Sequence, residues 1–193
     1  MPDKNSKKGI LTIPNMISMI RIFAIPFFIW LLKNGDHLGA LILFTAAALT
    51  DLLDGITARI LNQKSRLGAL LDPAGDKLLM TAALIALAVP SYNPINTIPI
   101  WLASTIIGRD ILIVGSAFIF YKTKTMTSFP PTFLGKISTF TQMSVLVLVM
   151  LFNALKQTQA QTLLFWFYVL AMTLTISSGF QYLFIGLRIV KKK

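Results

Sequence analysis

Residues 162–187 read TLLFWFYVLAMTLTISSGFQYLFIGL and contain no charged side chain. A helix needs about 20 mostly apolar residues to cross a bilayer, so this stretch is long enough to span one. The whole chain of 193 residues has the same character, with 55% hydrophobic and only 13% charged residues. Soluble domains carry about 25% charged residues. The composition therefore indicates an integral membrane protein and excludes secreted modules, disordered tails and ordinary cytosolic enzymes.

Five further stretches have enough apolar residues for a membrane span, although charged residues or a proline interrupt most of them. We therefore predict an all-α integral membrane fold with six transmembrane helices, at residues 16–32, 38–58, 67–89, 95–121, 137–155 and 162–187. Residues 13–21 include Pro14 and Arg21, and they favour a short N-terminal helix that lies in the membrane interface.

The basic residues indicate how these spans are oriented. Most of the 18 Lys and Arg residues lie in the N-terminal segment, in the 59–66 and 122–136 loops and in the tail. By the positive-inside rule, these segments face the cytoplasm, here of a bacterial inner membrane. We therefore assign a polar cytoplasmic N-terminus to 1–12, a transmembrane domain to 13–187 and a basic cytoplasmic tail to 188–193. Because the basic residues are scattered beside lipid, they do not indicate nucleic-acid binding.

Four aspartates fall in pairs within the second and third predicted helices. Asp51 and Asp54 are three residues apart, and Asp72 and Asp76 are four apart, so each pair shares one helix face. One Asp at the centre of a membrane helix costs about 2.5–3.5 kcal/mol, so four require a hydrated cavity and neutralising partners. Oxygen ligands favour Mg²⁺, Mn²⁺ or Ca²⁺, and two such ions, an arrangement common in phosphoryl transfer, would balance the four carboxylates. A zinc site of His and Cys is excluded, since His37 is the only His and Cys is absent.

Small and basic residues accompany the aspartates. Gly55, Ala58 and Gly68 leave room for a flat ligand near the backbone. Arg59 lies one turn after Gly55, where it can bind a phosphate. The full pattern is Asp51-x2-Asp54-Gly55-x2-Ala58-Arg59-x8-Gly68-x3-Asp72-x3-Asp76.

This pattern resembles the signature of the CDP-alcohol phosphotransferase family, with every position filled. The segment IPNMISMIRI at 13–22 and the pair Arg109-Asp110 also look like this family, so the resemblance extends from residue 13 to about residue 142. It implies six transmembrane helices, usually in a homodimer. It also implies transfer of a phosphatidyl group from CDP-diacylglycerol to an alcohol, with release of CMP.

The resemblance implies roles for individual residues as well. Two Mg²⁺ ions, with Mn²⁺ as an alternative, would be bound by Asp51, Asp54, Asp72 and Asp76. The CDP group would lie against Asp51, Gly55, Ala58, Arg59 and Gly68. Asp76 would be the general base that takes the proton of the acceptor hydroxyl.

Two cations outside the motif bear on the acceptor. Arg109 lies within an apolar stretch, and Lys136 lies at the start of the fifth predicted helix. We interpret both as ligands of an acceptor phosphate. The alternatives are helix packing for Arg109 and a membrane-side anchor for Lys136. We do not expect Asp110 to pair with Arg109, because adjacent residues on a helix point in different directions.

The acceptor stays open between two glycerol-type alcohols. Gly108-Arg109-Asp110 and Gly135-Lys136 resemble segments of phosphatidylglycerophosphate synthases, which use glycerol 3-phosphate, but Ser138 stands where those enzymes have a second Lys. The residues from Pro131 to Gln142 look closer to the cardiolipin synthases of this family, which use phosphatidylglycerol. The wide occurrence of phosphatidylglycerophosphate synthases in bacteria favours glycerol 3-phosphate instead. Inositol phosphate, serine and choline are less favoured.

A different class of function also stays open. Intramembrane aspartates mark ion or proton pathways too, so a small ion- or proton-coupled carrier would account for the spans and some of the charges. It would not account for the glycines and Arg59 at fixed spacing from the carboxylates. Release of CMP from CDP-diacylglycerol separates the enzyme from the carrier.

Overall fold

The computed structural model describes the backbone of residues 13–61, 68–93, 95–122 and 132–191, and the side chains of residues 19–50, 77–93, 95–116 and 132–186. Within these ranges the chain forms six α-helices, and a single 3₁₀ turn at Thr158–Ala160 precedes the last of them. The helices are α1 (Ile13–Lys33), α2 (His37–Leu61), α3 (Gly68–Leu87), α4 (Ile100–Lys122), α5 (Phe133–Ala154) and α6 (Gln161–Lys191). Each of the six predicted spans corresponds to one of these helices. The N-terminal segment 1–12 and the side chains of the basic tail lie outside the described residues.

The separate interfacial helix predicted for residues 13–21 is wrong, because α1 continues without a break from Ile13 to Lys33. Pro14 lies in its first turn, where a backbone N–H has no partner within the helix and its absence costs little. Pro26 lies inside the helix and does not end it.

Two of the described segments are long and apolar enough to cross a membrane, namely Phe133–Ala154 and Thr158–Gly186. Two shorter apolar segments are found at His37–Thr50 and Lys77–Leu87. Every helix also exposes large apolar side chains, for example Phe23, Ile42, Leu78, Ile111, Phe140 and Trp166. Extended apolar surface is rare on soluble monomers and suits contact with lipid, so these features indicate a membrane protein.

Among the described side chains, the buried core includes residues of all six helices. Helix α1 packs on α2 and α3, and α6 packs on both α4 and α5. The rings of Phe28 and Phe44, both fully buried, join α1 to α2 with their centroids 6.1 Å apart. Buried Leu87, Leu102 and Val149 extend the core across α3, α4 and α5.

Three buried asparagines form a hydrogen-bond cluster at the connection between α3 and α4. The side chain of Asn153 accepts a hydrogen bond from the backbone N–H of Asn96 at 2.9 Å and donates one to the carbonyl of Asn96, also at 2.9 Å. It also donates to Oδ1 of Asn93 at 3.4 Å, and Asn93 donates to the carbonyl of Ala86 at 2.9 Å. These bonds tie the connection between α3 and α4 to the end of α5, which we call the asparagine end of the bundle.

Candidate active site

The four aspartates lie on the two helices that the sequence predicted. Asp51 and Asp54 lie on α2, and Asp72 and Asp76 lie on α3. Their spacings of three and four are therefore helical spacings, and each pair occupies one face of its helix. The side chains of all motif residues lie outside the described ones, so their metal-binding and CDP-binding roles stay predictions: Asp51, Asp54, Gly55, Ala58, Arg59, Gly68, Asp72 and Asp76. Among the described side chains, no group of three or more His, Cys, Asp or Glu residues lies together.

A cavity of about 440 Å³ begins at Lys77, the residue that follows Asp76 on α3. It lies between α3, α4, α5 and α6, and its volume is within the range of about 300–1,000 Å³ that is usual for small-molecule sites. The lining residues are Lys77, Arg109, Asp110, Ile113, Val114, Gly135, Lys136, Thr139, Phe140, Met143 and Tyr182. Among the described residues, the wall of the cavity therefore includes three cationic side chains and one carboxylate, and apolar side chains form much of the rest.

Arg109 is buried, with only 7% of the residue exposed, and its guanidinium group contacts three neighbouring side chains. Its Nη1 donates to Oδ1 of Asp110 at 2.8 Å, and its Nη2 donates to Oγ of Ser178 on α6 at 2.9 Å. The guanidinium carbon lies 5.8 Å from the centre of the Tyr182 ring, within the range of a cation–π contact. The Nε atom of Arg109 has no partner among the described residues. Arg109 thus packs α4 on α6 and also lines the cavity.

The expectation that Arg109 and Asp110 do not pair is wrong. Their Cβ atoms leave the helix in different directions, but the long Arg stem folds back and brings the guanidinium to the carboxylate. Asp110 also accepts from Nζ of Lys77 at 2.7 Å through its other oxygen. Its carboxylate, of which 17% is exposed, therefore joins a cation of α3 to a cation of α4.

Lys136 lies in the first turn of α5 and lines the same cavity as Arg109. The helix begins there because Oγ1 of Thr132 accepts from the backbone N–H of Gly135 at 3.0 Å, which is a standard N-terminal cap. The positive end of the α5 dipole adds to the charge of Lys136 at this place. The two residues interpreted as acceptor ligands thus meet in one cavity, and their binding of a phosphate stays a prediction.

Two lining residues, Tyr182 and Lys77, were not assigned to the site from sequence. Tyr182 accepts a hydrogen bond from the backbone N–H of Thr132 at 3.2 Å, and its ring lies over Gly135. Nothing in the uncharged stretch around Tyr182 marks this residue. Lys77 does carry a signal, since it is a cation directly beside Asp76.

Ser138 does not line the cavity, although its position was interpreted as a lost phosphate ligand. It is fully buried, and its Oγ lies 3.3 Å from Oγ1 of Thr175 on α6. Nε2 of Gln142 donates to both hydroxyls, at 3.2 Å to Ser138 and 2.8 Å to Thr175. The residue at position 138 therefore acts in the packing of α5 on α6.

Comparison with known proteins agrees with the resemblance. The family model for CDP-alcohol phosphatidyltransferases matches residues 11–177. A putative cardiolipin synthase of Mycobacterium tuberculosis is 36% identical over 138 residues, which are 70% of this chain and 62% of the relative. The cardiolipin synthase (CMP-forming) of Streptomyces coelicolor is 34% identical over 151 residues, covering 74% of this chain and 66% of the relative. The CDP-diacylglycerol–glycerol-3-phosphate 3-phosphatidyltransferase of Pseudomonas fluorescens is 42% identical over 106 residues, covering 53% of each chain.

The match thus spans about half to two thirds of the length of these relatives. The family model, in contrast, covers most of this chain and includes the aspartate motif, Arg109 and Lys136. The chain belongs to the CDP-alcohol phosphatidyltransferase family.

Proposed function

We propose that this protein transfers a phosphatidyl group from CDP-diacylglycerol to a glycerol-type hydroxyl and releases CMP, in the phosphatidylglycerol and cardiolipin branch of phospholipid synthesis. The observation that carries the proposal is the cavity that begins one residue after Asp76 and brings Lys77, Arg109 and Lys136 together. Three cations beside a predicted general base suit an acceptor that carries a phosphate. The names of the relatives, which include both cardiolipin synthases and a glycerol-3-phosphate phosphatidyltransferase, support the same branch.

The four motif aspartates would hold two divalent ions, Mg²⁺ or in its place Mn²⁺. Their donor set fits, because it consists of carboxylate oxygens alone, placed at helical spacing on α2 and α3. When bound, the ions supply positive charge to the phosphates of the donor. CDP would lie against Gly55, Ala58, Arg59 and Gly68.

The remaining steps belong to the side chains of the protein. Arg109 and Lys136 would bind the acceptor phosphate and hold the acceptor hydroxyl near Asp76. Asp76 would take the hydroxyl proton as the oxygen attacks the phosphorus that carries the diacylglycerol. A new phosphorus–oxygen bond forms, the bond to CMP breaks, and CMP leaves with the electron pair of that bond.

Two acceptors are consistent with the cavity. Glycerol 3-phosphate would give phosphatidylglycerophosphate, and phosphatidylglycerol would give cardiolipin. Val114 and Phe140, which line the cavity, are 63% and 72% exposed, so the cavity opens to the side between α4 and α5. This opening favours an acceptor that enters from the bilayer, and glycerol 3-phosphate is the second candidate.

A transfer assay tests the proposal. The purified protein is given CDP-diacylglycerol and Mg²⁺, with glycerol 3-phosphate and phosphatidylglycerol in separate reactions, and lipid products are identified by mass. We expect one phosphatidyl product and release of CMP. The variant Asp76→Asn should still bind CDP-diacylglycerol but lose turnover, whereas the matched variant Asp36→Asn, in the cap of α2, should keep it. If neither reaction releases CMP, transfer to a glycerol-type acceptor is refuted. Reactions with inositol phosphate and serine then separate an enzyme that uses another alcohol from the ion- or proton-coupled carrier, which releases no CMP.

The proposal also includes the oligomeric state of the enzyme, its membrane and its orientation. We place it as a homodimer with six spans in a bacterial inner membrane, with the aspartate motif facing the cytoplasm. Because the chain has no Cys, single cysteines report topology directly. An impermeant reagent applied to intact cells should label Ser91→Cys, at an exposed position between α3 and α4, and spare Lys64→Cys. The opposite labelling would reverse the orientation.

A further inference from the structure

Gln142 on α5 belongs to the segment that the resemblance marks, yet it is not among the described residues that line the acceptor cavity. Its side chain is 2% exposed. The direction of its amide is set by hydrogen-bond chemistry. Thr175 gives its only hydroxyl proton to the carbonyl of Ala171 at 2.6 Å, so its Oγ1 can only accept from Gln142. The Nε2 group of Gln142 therefore faces Thr175, and Oε1 faces away from it.

Oε1 of Gln142 has no partner among the described residues. A buried acceptor without a hydrogen bond costs about 1–3 kcal/mol, and such groups in native proteins are usually satisfied by protein or ordered water. Gln142 lines a second, small cavity of about 10 Å³, together with Met80, Thr81, Leu84, Ile106, Asp110 and Leu146. That volume is close to the minimum that a single water molecule needs.

Asp110 lines this small cavity as well as the acceptor cavity. Its carboxylate accepts from Lys77 and Arg109 and has lone pairs left for another donor. One water molecule has two protons, and three polar residues line the small cavity: Gln142, Asp110 and Thr81. Oε1 of Gln142 and the carboxylate of Asp110 can only accept, whereas the Thr81 hydroxyl can donate or accept. The cavity therefore suits a neutral ligand of the size of water that donates hydrogen bonds.

We propose that a single buried water bridges Gln142 to Asp110, and that Gln142 is a positioning residue for the acceptor site. Through this water, Gln142 on α5 fixes the Asp110 carboxylate on α4. Asp110 in turn holds the side chains of Lys77 and Arg109 at the wall of the acceptor cavity. The inference rests on the proposed function, because the proposed function places the acceptor in the larger cavity.

Three variants separate the water bridge from the packing role of Gln142. Gln142→Met keeps the approximate shape of the side chain but removes the acceptor. Met80→Phe keeps Gln142 and fills the small cavity from a half-buried wall, so it displaces the water. Thr175→Val is the matched control, because it removes one of the two hydrogen bonds that Nε2 of Gln142 donates and changes no residue that lines the small cavity.

The measurement is steady-state transfer with CDP-diacylglycerol and Mg²⁺, with glycerol 3-phosphate or phosphatidylglycerol as the varied acceptor. Loss of one positioning hydrogen bond should raise the acceptor KM about three- to tenfold in Gln142→Met and in Met80→Phe, with the KM for CDP-diacylglycerol unchanged. Thr175→Val should lower thermal stability without this KM change. If the wild type transfers nothing, the proposed function has failed. If the wild type is active and neither Gln142→Met nor Met80→Phe changes the acceptor KM, the inference is wrong.

A readout that does not depend on activity completes the test. An experimental structure of the wild-type protein at a resolution that shows ordered water should contain one water between Oε1 of Gln142 and Asp110. That water should be absent from Met80→Phe and present in Thr175→Val. A direct contact between Gln142 and Asp110, or an apolar and dry cavity, would overturn the proposal even in an active enzyme.

Discussion

Gly135 is the position where one added methyl group should disturb the site most clearly. A Cβ placed there would lie 2.9 Å from Oη of Tyr182, 3.0 Å from Oγ1 of Thr132 and 3.3 Å from Cε2 of Tyr182. Real Cβ atoms are rarely so close to their neighbours, so Tyr182 has to move away. The hydrogen bond from Thr132 to Tyr182 and the contact of the Tyr182 ring with Arg109 would both weaken.

Two opposing contributions determine how much Gly135→Ala changes the free energy of unfolding. Overpacking at a buried position costs about 1–3 kcal/mol. Replacing a helical Gly by Ala gains up to about 1 kcal/mol of helix propensity, and less in the first turn where Gly135 lies. We therefore expect Gly135→Ala to lower the free energy of unfolding by about 1–2 kcal/mol.

Gly115 on α4 provides a matched control. A Cβ there meets nothing within 4 Å, so Gly115→Ala receives only the favourable term of up to about 1 kcal/mol. Thermal or denaturant unfolding of both variants in the same detergent measures the difference, and the acceptor KM of each reports on Arg109. Gly135→Ala should have a raised acceptor KM, and Gly115→Ala an unchanged one. Equal stability of the two variants with equal KM values would refute the packing of Tyr182 over Gly135.

Three other predictions address the cation site, the asparagine end and the metal. Arg109→Lys should raise the acceptor KM about tenfold or more, because Lys cannot donate to Asp110 and Ser178 together in the geometry of a guanidinium. Steady-state kinetics measures this KM, and an unchanged value would contradict the prediction. Asn153→Leu should lower the free energy of unfolding by about 2–4 kcal/mol, since it leaves the N–H and carbonyl of Asn96 buried without partners; an unfolding midpoint like that of the wild type would contradict it. Removal of divalent ions with a chelator should abolish CMP release and leave the helical circular-dichroism signal intact, and Mg²⁺ should restore activity; transfer that persists in the chelator would remove the metal from the proposed function.

The sequence predicted the helices well because each is a long apolar stretch bounded by polar or turn-forming residues. It placed the aspartate pairs on α2 and α3 for the same reason, since periodicity along one helix requires no knowledge of its neighbours. It failed at 13–21, where Pro14 and Arg21 were interpreted as parts of a separate interfacial helix, whereas α1 runs unbroken from Ile13 to Lys33.

Contacts between helices were harder to predict. The pairing of Arg109 with Asp110 depends on the bending of a flexible side chain, and spacing along the helix argues against it. Tyr182 reaches the cavity only because α6 packs on α4 and α5, and no local pattern announces that packing. The sequence marked Ser138 as a departure from one family motif, but a motif position does not say which neighbour a side chain faces, and the contact of Ser138 with Thr175 on α6 was not predicted.

The bundle is held together differently at the asparagine end and around the acceptor cavity. Direct hydrogen bonds between Asn96 and Asn153 join the segment that precedes α4 to the end of α5, whereas Val114 of α4 and Phe140 of α5 line a cavity. We therefore expect a ligand that enters the cavity to change the distance between Val114 and Phe140 more than the distance between Asn96 and Asn153. Spin labels placed near Val114 and Phe140 should report substrate entry as a change in distance, and labels placed near Asn96 and Asn153 should not.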